Sequence, residues 1–183
     1  MTALILAVTG AGLVFAVLAW LMRTGSPVQV VFATVMLSAL TLAGVLVLTG
    51  DGTGGWDKPA RVGLMLLAGG LAVSGGGPLT TSVLALVDRT TSQGMSTQQA
   101  GEVLRGGALI GALERGAIYA TVVAGWPEGL AVVLAIKGLA RYPELRGPDQ
   151  GAGVPEHAVA ERFIIGTFVS VLWAVTCAGL IHS

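Results

Sequence analysis

Residues 28–49 read VQVVFATVMLSALTLAGVLVLT, without one charged side chain. A helix rises about 1.5 Å per residue, so a run of this length covers the roughly 30 Å hydrocarbon core of a bilayer. Residues 2–22 form an equally apolar run before Arg23. The whole chain agrees with these two segments. Of its 183 residues 54% are hydrophobic and only 11% are charged, and the mean hydropathy is +0.81. A soluble domain carries about 25% charged residues. Too few charges are present to coat a soluble globule, which excludes a soluble enzyme, a disordered chain and a nucleic-acid binder. What remains is an integral membrane protein with the lipid bilayer as its first partner. Ten acids balance ten bases, so net charge names no acidic or basic partner.

Working outward, Arg23 to Pro27 reads as a turn, with Pro27 suited to a first helical position. Residues 50–59 (GDGTGGWDKP) read as a loop with Trp56 as an interfacial anchor. The third span admits two readings. It ends near Gly75, over 59–75, and a short surface helix follows over 78–88; or it continues as a broken helix to Val87. The first is favoured, because the first half alone is nearly long enough. Residues 88–102 are a polar loop. The fourth span covers 104–125, Trp126-Pro127-Glu128 is a tight turn, and a fifth, shorter run covers 128–145. A Gly/Pro-rich loop over 146–160 leads to the last span, 162–181. The expected fold is an all-α polytopic transmembrane helical bundle of one domain, with six spans, or five if the fifth run does not cross. The N-terminal run lacks a preceding positive charge and a clear cleavage site, so it reads as a membrane helix rather than a signal peptide.

Basic residues set the orientation. With six spans, Arg23, Arg89, Arg105, Arg141, Arg146 and Arg162 fall on one side, and Lys58 and Arg61 on the other. The first side is expected to be cytoplasmic in a bacterial inner membrane, with both termini extracytoplasmic.

The strongest feature is a charged hairpin. Glu114 and Arg115 precede the Trp126-Pro127 turn, and Lys137 follows it, at similar separations. All three backbone positions come out roughly 15 Å from the turn, near mid-bilayer. Ionisable groups there are costly unless paired or hydrated, and point to function. Lys137, Arg141 and Glu144 share a helical face by spacing, and Glu161 and Arg162 enter the last span from the same side. These seven residues form the candidate transport cluster, for an ion, a proton or an anionic ligand. The competing reading is a structural clip, with Glu114 paired to Lys137. Arg115 points about 100° away from Glu114 on a helix, so that pair leaves it unmatched.

Gly75, Gly76 and Gly77, followed by Pro78, Thr80 and Thr81, are a candidate backbone or anion site. A helix starting at Pro78 would present free N–H groups. The competing reading is a plain turn. Gly166, Ser170, Ala174 and Ala178, and likewise Gly107 and Gly111, recur every four residues. Such stripes permit close helix packing, within the chain or across a homo-oligomer seam.

Enzyme signatures are weak. Cys177 is alone, His157 and His182 are isolated, no cluster has metal-ligand spacing, and no serine sits in a nucleophile elbow. The pair Glu156-His157 reads as solvated. No cofactor and no catalytic activity are expected.

From Leu109 the chain reads LIGALERGAIYATVVAGWPEGLAVVLAIKGLARYPELR, and later AERFIIGTFVSVLWA. This resembles a family of uncharacterised small bacterial membrane proteins whose second half carries an ER pair, a G-x-x-E turn, a K-x-x-x-R helix, an E-L-R end and an E-x-F/Y-x-I-G-T-x-x-S span. The resemblance runs over roughly 104–178. It brings Glu114, Arg115, Glu128, Lys137, Arg141, Glu144, Arg146, Glu161, Gly166, Thr167 and Ser170 forward as matched positions, and it implies no activity. The expected function is a small channel or transporter acting as a homo-oligomer. The alternative is a non-catalytic accessory or assembly subunit docked on a membrane-protein partner.

Overall fold

The computed structural model describes residues 1–21, 27–50, 52–90, 105–146 and 156–182. Among them the chain forms six α-helices: α1 Thr2–Leu21, α2 Pro27–Thr49, α3 Lys58–Thr90, α4 Arg105–Val123, α5 Pro127–Arg146 and α6 Glu156–His182. Four stretches are long and apolar enough to cross a membrane: Thr2–Leu21, Val28–Thr49, Lys58–Val87 and Ala160–His182. They give the chain the make-up of a multi-pass helical membrane protein.

The third span departs from the favoured reading. The glycine run does not end a helix at Gly75, and no separate helix occupies 78–88; α3 runs unbroken from Lys58 to Thr90 with Pro78 inside it. Proline inside a helix removes one backbone bond and crowds the preceding turn. The carbonyl that loses its donor is that of Ser74, and the nearby carbonyls of Leu71 and Val73 accept from neighbouring helices, as described below. The last helix begins at Glu156, inside the stretch read as a loop over 146–160, and its apolar part, Ala160–His182, lies close to the expected span. The loop readings over 91–102 and 147–155 and the turn at 22–26 lie outside the described residues.

The hairpin turn follows its sequence signals. Gly125 takes φ +67°, a left-handed conformation that favours glycine. The Trp126 N–H donates back to Thr121 O at 2.9 Å, closing the end of α4. Pro127 then opens α5, with Glu128 in its first turn, where an acid complements the helix dipole.

α3 is the central helix, packed against α1, α4 and α6 and more lightly against α2. The buried core is rich in small residues: Ala16, Ala33, Ala43, Ala68, Ala72, Ala174 and Cys177 all lie within it. In lipid, helix association relies on such close approach because burial against hydrocarbon gives little driving force. Ser170, Ala174 and Ala178 of α6 are buried against the chain's own helices, so this stripe serves packing within the bundle. Outward, Leu21, Leu48, Leu66, Leu139, Phe168 and Leu172 are exposed, a belt far more apolar than the surface of a soluble monomer.

Candidate functional site

Two carbonyls of α3, at Leu71 and Val73, stand in the turns ahead of Pro78. Arg115 from α4 donates to Val73 O through Nε at 3.0 Å and Nη2 at 2.8 Å. Trp173 from α6 donates Nε1–H to Leu71 O at 3.1 Å. Further along, Tyr119 of α4 donates its hydroxyl to Met65 O at 2.8 Å. Three side chains on two helices thus fasten onto one helix backbone.

The glycines make this approach physically possible. A methyl group at Gly75 would stand 2.7 Å from Trp173 Cζ2, and one at Gly76 would stand 2.8 Å from Arg115 Nε. The run GGG is therefore a bare helical face on which an indole and a guanidinium rest. Since α3 continues through Pro78, no free helix N-terminus arises there. Thr81 Oγ1 donates within its own helix, to Pro78 O at 3.0 Å, and accepts from Gln29 Nε2 of α2 at 3.0 Å. Thr80 turns its methyl toward Gly166 of α6, and its buried hydroxyl has no partner among the described residues.

The charged hairpin resolves into two separate contacts. Lys137 of α5 donates to Glu114 Oε2 of α4 in an ion pair whose side chains are a fifth exposed or less. The Lys137 ammonium also lies 5.9 Å from the centre of the Phe163 ring of α6, within cation–π range. Arg115 takes no part in this pair and is 5% exposed. Side chains on a helix lean toward its N-terminus, and Val73, which receives the guanidinium, stands near the middle of α3. The charge that pairing leaves over is thus accommodated by a backbone carbonyl.

Three members of the seven-residue cluster are placed by their contacts. Glu114, Arg115 and Lys137 are engaged as above. Glu161 is exposed at the start of α6 and Arg162 is half-buried there. Arg141 and Glu144 lie in the last turns of α5; their side chains fall outside the described residues, as does the side-chain reading of Glu156 and His157.

Beside the ion pair, α5 and α6 leave a groove of about 240 Å3. Leu134, Lys137 and Gly138 line one wall, and Phe163, Thr167 and Val171 the other. Thr167 Oγ1 is buried there without a hydrogen-bond partner among the described residues. α5 leans on α4 and touches α6 only sparsely, which is why the groove exists.

Several contacts had no counterpart in the sequence reading. Gln29 is 4% exposed; its signal was present, a lone amide inside an uncharged span. Thr53 donates to Ile181 O at 3.1 Å, and His182 Nε2 donates to Val122 O at 2.9 Å. They tie the 52–57 loop and the end of α4 to the end of α6, at the same end of the bundle. No group of His, Cys, Asp and Glu among the described residues has the arrangement of a metal site. Compared with known proteins, the chain matches no family model, no curated protein and no solved structure.

Proposed function

We propose that this chain is a non-catalytic helical subunit of a bacterial inner membrane, an accessory or assembly component of a larger membrane complex. In this reading α4 and α5 cross the bilayer with the other four helices, and the arginine-rich ends face the cytoplasm. One observation carries it: the three charges whose depth suggested a path are all engaged inside the fold. Glu114 is closed by Lys137, and Arg115 is closed by Val73 O. Groups held this way fix one arrangement of helices, a role that buried ion pairs can fill without adding net stability.

Purification in native lipid nanodiscs followed by native mass spectrometry tests this function. A second protein at fixed stoichiometry is the expected result. A lone homo-oligomer that conducts ions or moves solute in liposomes overturns it. The transport reading retains one specific support, the groove in which Lys137 and the unpartnered Thr167 hydroxyl meet. Under that reading, Glu114→Gln abolishes flux without unfolding the protein.

A further inference from the structure

α5 is seated firmly at its start and loosely beyond it. At the turn there is no slack: a methyl group at Gly129 would stand 2.5 Å from both Thr121 and Trp126. The Trp126 N–H also donates to Thr121 O. Further along, α5 leans on α4 and meets α6 only sparsely. A Cβ placed at Gly138 meets nothing within 4 Å. The polar tether that holds this part of α5 to α4 is the pair of Lys137 with Glu114.

The two walls of the open groove match each other. α5 starts and α6 ends at the same end of the bundle, where His182 meets Val122, so the walls run antiparallel. Leu134 and Gly138 climb one wall while Val171 and Thr167 descend the other. Gly138 leaves the Leu134 carbonyl, one turn before it, without a Cβ alongside, and a helical carbonyl keeps a second lone pair. On the facing wall, Thr167 Oγ1 is buried with no hydrogen-bond partner among the described residues. Small residues face to face let two helices meet closely in lipid. An unmatched hydroxyl there is costly until an acceptor reaches it.

We propose that α5 is a swinging arm with a second, closed position. Its hinge is the turn from Gly125, at φ +67°, to Pro127. Its latch is the Glu114–Lys137 pair. Its closed seat is Gly138 against Thr167, where the hydroxyl donates to Leu134 O. With the latch made, α5 stays on α4 and the groove stays open. With the latch lost, the loosely held part of α5 tilts onto α6, and the Lys137 ammonium moves over the Phe163 ring it already approaches at 5.9 Å. The arm belongs to the single chain, so it stands whether or not a partner protein is found.

Cross-linking across the groove tests the arm. In a Cys177→Ala background, Leu134→Cys and Val171→Cys put one thiol on each wall and leave Gly138 and Thr167 in place. A disulfide needs Cβ atoms about 3.5–4.5 Å apart, so its rate of formation in nanodiscs under a mild oxidant reports closure. Linking is expected to be slow but measurable with the latch intact. Glu114→Gln should speed it roughly tenfold, the scale of one charged hydrogen bond. Gly138→Leu, whose side chain has room in the open groove, should stop linking in both backgrounds and keep the wild-type melting temperature. Thr167→Val should slow it. A rate that Glu114→Gln leaves unchanged overturns the latch. Linking that survives Gly138→Leu overturns the closed seat, and this comparison decides with Glu114 in place even if Glu114→Gln fails to fold. Complete linking at once with the latch intact overturns the open position.

Discussion

Arg115 on α4 gives two N–H groups, Nε and Nη2, to the single carbonyl of Val73 on α3. That carbonyl stands in the turn whose geometry Pro78 disturbs. A rigid guanidinium fork is suited to such a grip, and a lysine ammonium is not equivalent. Arg115→Lys is therefore expected to destabilise the fold, and Arg115→Ala to cost more, about 2–4 kcal/mol from lost hydrogen bonds and an unfilled cavity. Thermal unfolding in nanodiscs reads both. Equal melting of Arg115→Ala and wild type would remove Arg115 from the fasteners.

The bare face of α3 makes a second expectation. Gly76→Ala places a methyl where Arg115 lies, and overpacking of this kind costs about 1–3 kcal/mol. Gly10→Ala in α1 meets nothing within 4 Å, and should be neutral or stabilise by up to about 1 kcal/mol through helix propensity. The two substitutions are chemically identical, so a difference in their unfolding isolates the contact from the glycine itself. If both behave alike, the glycine run is not a packing face.

These contacts also mark where the sequence was legible and where it was not. Uncharged runs such as 28–49 announce α2 through length alone, and residue counting on either side of Trp126 brings Glu114 level with Lys137. The continuity of α3 was hidden because Gly75-Gly76-Gly77-Pro78 looks like a break when only its own backbone is considered. Trp173 and Arg115 bond to and pack on this stretch of α3, and those lie far away in the chain. The partner of Arg115 is a carbonyl, which every residue possesses and no side-chain pattern marks. Thr167 could be named by motif resemblance, but its lack of a partner emerges only from how α5 and α6 diverge.

Trp173→Phe and Tyr119→Phe each remove one donor to an α3 carbonyl while keeping the ring. Each should cost about 1 kcal/mol, the net worth of a neutral hydrogen bond. The check is the melting temperature of the single variants. A cost near zero for both would mean that the rings pack but do not fasten.

Cys177 is the chain's one cysteine and is fully buried. A maleimide should label it only after denaturation. In a Cys177→Ala background, Trp126→Cys, at an exposed position in the α4–α5 turn, reports topology. Labelling from the periplasmic side of intact cells is expected if α4 and α5 cross. Access only from the cytoplasm would contradict the proposed six-span arrangement.

The most direct test is a double-mutant cycle on Glu114 and Lys137, read as unfolding free energy in nanodiscs. If the pair is an internal fastener, Glu114→Gln and Lys137→Met each cost about 3 kcal/mol, as when one partner of a buried pair is removed. The reversed double variant, Glu114→Lys with Lys137→Glu, should then recover most of the loss. Single variants as stable as wild type, with no coupling between the two positions, would contradict the claim that this charged pair holds the bundle together.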